Sequence, residues 1–282
     1  MLRLDLATMR WEPMGTLVTE RFNHACCAVR GDLVVLGGED GIGISSVEIL
    51  SSSEEGVAFA DLPPLSSGGI DGAAAIAVDE SDSAAGQVLL LGGWADSSGP
   101  VSTVQLVDLA TGACAPQPAL LHRRAYSAAG RLPDGRVVCA GGFGGAGSSA
   151  EVWGPPEQEA ADAAWGWTEL PAMSAARYAC CGCVMSDGRF AVLGGADHAS
   201  VPMSSCEVLS FDDGDAQWEP LPPMHDSRYG FACWAVAGCV IVTGGDGLKS
   251  AEVYDEELDR WLRLLCDLPY EGELDAMGSA LL

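Results

Sequence analysis

The stretch from Arg228 to Leu262 contains four short segments of strand length, and turn residues separate them. In order they read Arg228-Tyr-Gly-Phe-Ala-Cys-Trp-Ala-Val236, Cys239-Val-Ile-Val-Thr-Gly244-Gly245, Ser250-Ala-Glu252-Val-Tyr254-Asp255 and Arg260-Trp261-Leu262. Apolar, β-branched and aromatic residues are frequent in the segments, and glycine and acidic residues lie between them. This pattern predicts four consecutive antiparallel strands.

The Gly-Gly pair that ends the second segment occurs five times along the chain, with steps of 55, 49, 53 and 50 residues. The five pairs are Gly37-Gly38, Gly92-Gly93, Gly141-Gly142, Gly194-Gly195 and Gly244-Gly245. Such a period indicates repeated supersecondary units. Glycine is expected at these points because strand ends converge in a radial array, where a side chain would collide and positive φ is frequent.

Two further marks recur in register with the Gly-Gly pairs. The third strand opens on a hydroxyl residue followed two positions later by Glu or Gln, at Ser46/Glu48, Thr103/Gln105, Ser149/Glu151, Ser205/Glu207 and Ser250/Glu252. The fourth strand carries an aromatic residue at Trp11, Phe59, Trp167, Trp218 and Trp261, with Cys114 standing in the second repeat. In this order the marks resemble the kelch repeat, and the resemblance covers essentially the whole chain.

The resemblance implies an all-β fold: a single kelch-type β-propeller over residues 1–282, with five complete four-stranded blades and a partial sixth blade built from both termini. The predicted blades cover residues 18–65, 66–120, 121–173, 174–224 and 225–269, and the partial blade joins residues 1–16 with 270–282. That last blade lacks a Gly-Gly strand. Because folded proteins usually cover an unpaired strand edge, we favour a truncated sequence.

The chain has 40 acidic and 14 basic residues, which gives a net charge of −26. This charge repels phosphate backbones and anionic bilayers, so neither nucleic acid nor a membrane is expected as a partner. No apolar run approaches the roughly 20 residues of a membrane span. Because the N-terminal residues show no secretory signal, we expect a cytoplasmic protein whose eleven cysteines are free thiols.

No catalytic residue, cofactor or metal is predicted. The Cys180-Cys-Gly-Cys183 cluster alternates across a strand and has no second group of ligands, so core packing is preferred over zinc binding. Three histidines, His24, His122 and His225, lie near the starts of first strands, where they could converge. No companion carboxylate or cysteine spacing supports a site there.

The candidate partner-binding residues come from the register of the first strands. Arginine begins this strand in four blades and a tyrosine follows it closely in three, at Arg21, Arg124, Arg177 and Arg228 and at Tyr126, Tyr178 and Tyr229. The first strand starts at the edge where the second strand ends, so we expect these side chains to ring one mouth of the propeller. Arginine and tyrosine are frequent hot-spot residues, and arginine pairs with carboxylates, which predicts a protein partner that presents an acidic peptide.

An alternative interpretation makes the arginines structural clamps. Acidic residues follow the Gly-Gly pairs on the same face and could pair with them, at Glu39, Asp40, Asp96, Asp197 and Asp246. Recurrence in nearly every blade favours this scaffold role, because recognition rarely needs the same residue in each repeat. One arginine could serve both roles.

The resemblance also implies a function. Kelch propellers usually bind proteins, often joined to BTB or F-box domains that recruit ubiquitin ligases, and some bind actin. Neither companion domain is visible in the sequence, so a ligase role requires a missing N-terminal part. Kelch-type propellers also occur in copper oxidases and in sugar isomerases resembling sialic acid mutarotase, so an enzyme with an axial site is the alternative. Convergent acid, base or metal ligands in the axial pocket would indicate an enzyme, and a shallow Arg- and Tyr-lined mouth would indicate a binding module.

Overall fold

The computed structural model describes residues 1–53, 56–78, 86–96, 98–155, 165–212, 215–245 and 247–269. This part of the chain forms five four-stranded antiparallel sheets and two short hairpins. The five complete blades predicted from the repeat are confirmed. Within the described residues there is no helix long and apolar enough to cross a bilayer.

The strands are numbered in chain order. The N-terminal hairpin consists of β1 (Leu2–Asp5) and β2 (Arg10–Pro13). Blade one contains β3 (Ala25–Val29), β4 (Asp32–Leu36), β5 (Val47–Ser53) and β6 (Gly56–Leu62). Blade two contains β7 (Ala74–Val78), β8 (Gln87–Leu91), β11 (Val104–Asp108) and β12 (Cys114–Gln117), with β9 (Trp94–Ala95) and β10 (Gly99–Pro100) as a small hairpin in its loop. Blade three contains β13 (Ala128–Arg131), β14 (Val137–Ala140), β15 (Ala150–Gly154) and β16 (Gly166–Leu170). Blade four contains β17 (Cys181–Val184), β18 (Phe190–Leu193), β19 (Cys206–Asp212) and β20 (Asp215–Leu221). Blade five contains β21 (Ala232–Val236), β22 (Cys239–Thr243), β23 (Ala251–Asp255) and β24 (Arg260–Leu264).

Strand order within each blade follows the chain, and the first strands of successive blades contact one another from β3 through β7, β13 and β17 to β21. The first strands therefore lie nearest the axis. Connections between blades and loops between second and third strands share one side of the disc, here called the loop face. It comprises the described residues of 14–24, 63–73, 118–127, 171–180 and 222–231 and of 37–46, 92–103, 141–149, 194–205 and 244–250.

The hydrophobic core lies mainly between neighbouring blades. Val34 of blade one and Val88 of blade two belong to one buried cluster, and Val192 of blade four shares another with Val138 of blade three. The second strands are the most buried: β14 and β18 are buried at every position. Side chains of the second strands are thus covered from both sides, which explains why these segments are continuous apolar runs in the sequence.

Four of the Gly-Gly pairs join their blade to the next one. Gly92 has a φ of 58°, and a Cβ there would collide with the carbonyl oxygen of Arg124 in blade three. The next residue, Gly93, donates its N–H to that same oxygen at 2.9 Å. The pairs at Gly37, Gly141 and Gly194 make the corresponding contacts, so glycine is required because the following blade's backbone approaches so closely.

The tryptophans of the fourth strands provide a second contact between blades. The indole nitrogens of Trp167, Trp218 and Trp261 donate to carbonyl oxygens just after the fourth strand of the preceding blade, at 2.8–2.9 Å. Trp11 in the N-terminal hairpin donates in the same way to Cys266, at 2.7 Å.

The hairpin β1–β2 also contacts blade one, because Met1 and Met14 pack on a buried cluster that includes Leu33 and Val35. Residues 270–282, which were expected to complete a sixth blade near Trp11, lie outside the described residues. The partial sixth blade therefore stays a prediction.

Candidate functional site: the loop face and the axial pocket

Arg124 shows how an arginine at the start of a first strand is used. Its Nη1 donates to the carbonyl oxygen of Gly141 at 2.6 Å and to that of Ser149 at 3.3 Å. Its Nη2 donates to Ser149 Oγ at 3.0 Å and to Glu151 Oε1 at 2.6 Å. This clamp joins the end of the second strand to the start of the third strand within one blade.

The glutamate of the clamp also holds the connection from the previous blade. The second carboxylate oxygen of Glu151 accepts the N–H of Leu121 at 2.6 Å. The same backbone contact is made at 2.7–2.8 Å by Val18 in blade one, Ser174 in blade four and His225 in blade five. Each clamp therefore fixes where the chain enters its own blade.

Equivalent ion pairs occur in four blades. They join Arg21 to Glu48, Arg124 to Glu151, Arg177 to Glu207 and Arg228 to Glu252, and every arginine side chain in them is 0% exposed. Burial opposes ionisation of Glu252, but hydrogen bonds from the His225 N–H, Arg228 and the Asp226 N–H outweigh it and lower the pKa of that carboxyl group.

This geometry corrects the expectation that the four arginines contact a partner at an open mouth, because a ligand cannot reach the guanidinium groups without breaking the clamps. The clamp interpretation fits the structure, but its expected acidic partners were wrong. Among the described residues, the arginines pair with the third-strand glutamates, and Glu39, Asp40, Asp96 and Asp197 make no ion pair with them. Asp246 lies outside the described residues.

A ring of backbone hydrogen bonds surrounds the axis at the second residue after the arginine position. All five residues there have positive φ: Asn23 at 55°, Gly72 at 57°, Tyr126 at 57°, Ala179 at 48° and Gly230 at 59°. From Gly72 onward, each donates its N–H to the carbonyl oxygen of the same position in the preceding blade, at 2.7–2.9 Å. The strain of a non-glycine residue at positive φ, about 1–2 kcal/mol, is tolerated at Tyr126 and Ala179 because the ring requires this conformation.

The axial pocket lies against this ring and has a volume of about 460 Å³. Aromatic side chains contribute much of its wall, and they are Phe22, Tyr126, Tyr178, Tyr229 and Phe231. All three candidate tyrosines therefore meet at one cavity, as their register indicates. His24 also lines it, and burial together with the positive charge of Arg21 lowers the pKa of His24 to about 4, so this imidazole is neutral at pH 7.

Tyr126 connects the pocket to an acidic group, Asp71, that no sequence motif marks. Its hydroxyl donates to Asp71 at 2.7 Å, and Asn23 donates to Glu39 at 3.0 Å. Burial raises the pKa of Asp71, and the negative charges of Glu39 and Asp96 add to the increase, although the Tyr126 hydrogen bond opposes it. Blade two has Ile70 where the other blades have arginine, and Asp71 follows it directly. Asp71 therefore belongs to no recurring pattern in the sequence.

The loop face exposes several large apolar side chains. Those of Val18, Phe22, Ile42, Leu121, Phe143 and Val201 are 48–68% exposed. Phe143 lies between two further aromatic rings, with centroid distances of 5.8 Å to Trp94 and 5.7 Å to Tyr178. In the sequence, Trp94 and Phe143 each follow a Gly-Gly pair directly, and this shared position is the signal for the aromatic group.

The residues weighed for metal binding do not form a ligand set. The described residues contain no group of three His, Cys, Asp or Glu side chains that could hold a metal ion. His122 and His225 contact Glu169 and Glu252 instead of converging with His24. All eleven cysteines are free thiols and six of them are buried.

Comparisons with known proteins agree with this architecture. The Kelch motif profile matches residues 20–55, which include the Arg21 clamp and the first Gly-Gly pair. This chain is a kelch-repeat β-propeller. The kelch propeller is 26% identical to human Kelch-like protein 34 over 299 aligned positions, covering 94% of this chain and 42% of that protein.

A second relative is the F-box/kelch-repeat protein At1g16250 of Arabidopsis thaliana, 37% identical over 95 residues, or 29% of this chain and 25% of that protein. The kelch propeller thus spans less than half the length of either relative. The solved structure of YjhT superposes with a TM-score of 0.73 at 12% identity, covering 93% of this chain and 88% of that one, which shows the shared fold.

Proposed function

We propose that this kelch propeller binds a segment of another protein through its loop face and axial pocket. The observation that carries the proposal is the concentration of exposed apolar side chains on that face, next to a cavity lined by five aromatic rings. Exposed apolar groups on a soluble scaffold mark interaction sites, and aromatic residues provide most hot-spot energy. The candidate tyrosines Tyr126, Tyr178 and Tyr229 remain proposed contacts.

The wider assignment follows from the relatives' names. Matches to F-box/kelch-repeat and Kelch-like proteins support a role in substrate recognition within a ubiquitin-ligase adaptor, with this chain as the propeller part of a longer protein. The eleven free thiols, six of them buried, support a reducing compartment such as the cytoplasm. The enzyme alternative gains no metal-ligand set from the described residues.

A partner with an acidic peptide was expected because its carboxylates would pair with accessible arginines. Their burial in the clamps removes that support. The strong negative charge of the chain still argues against nucleic acid and anionic membranes as partners.

The test compares an exposed side chain of the loop face with one on the opposite face. Phe143 is 48% exposed between second and third strands, and Leu258 is 51% exposed in a turn between third and fourth strands. Each is replaced by Ser, the thermal stability of both variants is checked, and captured proteins are quantified by mass spectrometry. The proposal expects Phe143→Ser to lose specific partners that Leu258→Ser retains, and the reverse result would overturn it.

A further inference from the structure

We propose that the axial pocket accepts the arginine or lysine side chain of a basic segment in the partner protein, which lies across the loops of blades one and two. This inference rests on the proposed function and adds the partner's chemistry. It predicts a basic partner segment where the sequence predicted an acidic one, because the arginines of the clamps are buried and the pocket-lining Tyr126 is hydrogen-bonded to the carboxylate of Asp71.

The charge distribution of the loop face supports a cationic ligand. In blades one and two the loop-face segments 14–24, 37–46, 63–73 and 92–103 contain five carboxylates and one basic side chain other than histidine. The acidic residues are Glu20, Glu39, Asp40, Asp71 and Asp96, and the single arginine is Arg21. Since Arg21 is 0% exposed and paired with Glu48, it cannot neutralise these groups.

Three of these carboxylates, those of Asp71, Glu39 and Asp96, have polar contacts but no cation. Asp71 accepts the Tyr126 hydroxyl, and Glu39 accepts Asn23. Both carboxylate oxygens of Asp96 accept the N–H of Gly43 at 3.1 Å. Across the described part of the chain, none of the three forms an ion pair, so a ligand cation would supply the missing counter-charge.

The wall of the pocket suits the same ligand. Tyr126, Tyr178 and Tyr229 present aromatic rings, whose faces attract cations, and the hydrogen bond to Asp71 ties the Tyr126 ring to the acidic groups. A guanidinium or ammonium group can therefore contact aromatic faces while its charge meets the field of Asp71, Glu39 and Asp96. An acidic side chain would meet that field with unfavourable sign.

The loop face carries two other cationic side chains that bear on this argument. Arg123 lies in the connection from blade two to blade three, where the adjacent Arg124 N–H donates to the Val101 carbonyl of blade two at 3.1 Å, and Lys249 lies in a loop of blade five. Because the loop-face segments of blades one and two hold five carboxylates and, apart from His24, only the buried Arg21 as a basic side chain, we expect the basic segment to lie over them.

The experiment selects binders from a random displayed peptide library against the folded propeller. The selected peptides should be enriched in Arg and Lys, and a fluorescently labelled synthetic copy should bind more weakly as salt increases. The Glu39→Gln/Asp96→Asn variant should weaken that binding about tenfold or more. Glu257→Gln, which removes an exposed carboxylate from the opposite face, should leave it unchanged.

The outcomes separate the two proposals. Peptides that are neutral or acidic, and whose binding is lost in Phe143→Ser, would overturn the cationic pocket while supporting recognition by the loop face. Basic peptides insensitive to Glu39→Gln/Asp96→Asn would also overturn it. Failure to select any binder, or binders unaffected by Phe143→Ser, would count against the proposed function itself.

Discussion

Blades two and three share a backbone hydrogen bond between the second and third strands, but only blade three has a buried ion pair beside it. In blade three Arg124 and Glu151 form a buried clamp, whereas blade two has Ile70 and Gln105 at the same positions. Even so, Gly92 donates to the Thr103 carbonyl at 2.9 Å, as Gly141 does to Ser149 at 3.0 Å. The blade geometry therefore does not require the ion pair.

The arginine and the glutamate of the clamp are both absent from blade two, so the two members of the clamp are replaced together. Removing one member of a buried ion pair leaves an uncompensated charge, which costs about 3–5 kcal/mol, whereas apolar or neutral replacements of both members can be close to neutral. Blade two lacks both charges, consistent with this rule. The clamp thus specifies how a blade is entered.

The largest effect is expected for Arg124→Ala. It leaves Glu151 buried without its cation, so the free energy of unfolding should fall by about 3–5 kcal/mol. The neighbouring Arg123 is exposed, and Arg123→Ala should change the free energy of unfolding by less than about 0.5 kcal/mol. Equal losses in urea unfolding of the two variants would show that Arg124 is not a special structural residue.

The reverse substitution tests blade two. Ile70→Arg buries a guanidinium opposite Gln105, which has no charge to pair with it, and should destabilise the protein by about 3 kcal/mol. Adding Gln105→Glu should recover at least half of that loss if the clamp geometry is transferable. If the second substitution deepens the loss, blade two differs from the others in more than these side chains.

A smaller gain is expected from Gln105→Met. Within the described structure, the Oε1 of Gln105 is buried without a hydrogen-bond partner, and an unsatisfied buried oxygen costs about 1–3 kcal/mol. Met has a similar length and needs no partner, so the variant should be as stable as the parent or about 1 kcal/mol more stable in chemical denaturation. A clear loss of stability would indicate that the Gln105 side chain makes a favourable contact in solution.

The smallest effect is a local difference in acid sensitivity. The pKa of Glu252 is lowered in the folded state, so its contribution to stability is complete above the unfolded value near 4.5 and is lost as pH falls through the lower folded value. As the pH is lowered below 4.5, hydrogen exchange should show that β22 and β23 lose protection before β8 and β11, whose blade has no clamp. Simultaneous loss in both blades would contradict this difference.

The sequence predicted the blades well because the backbone itself demands their marks. Gly92 and its equivalents meet the carbonyl of the next blade, so the requirement for glycine is visible at a fixed spacing. The clamp is only half visible in the sequence: the arginines share a register, but the orientation of Glu151 toward Arg124 depends on the folded sheet. The ring through Asn23 and Tyr126 was hidden, since its members share a backbone conformation and no residue type.

We conclude that the recurring arginines and glutamates act as paired scaffold groups. A double-mutant cycle tests this claim by giving blade three the residues of blade two, with Arg124→Ile, Glu151→Gln and the combined variant compared by urea unfolding. We predict that each single variant loses about 3 kcal/mol or more, and that the combined variant loses at least 2 kcal/mol less than the sum. Additive losses would contradict the claim, because they would show that the two side chains stabilise the blade independently.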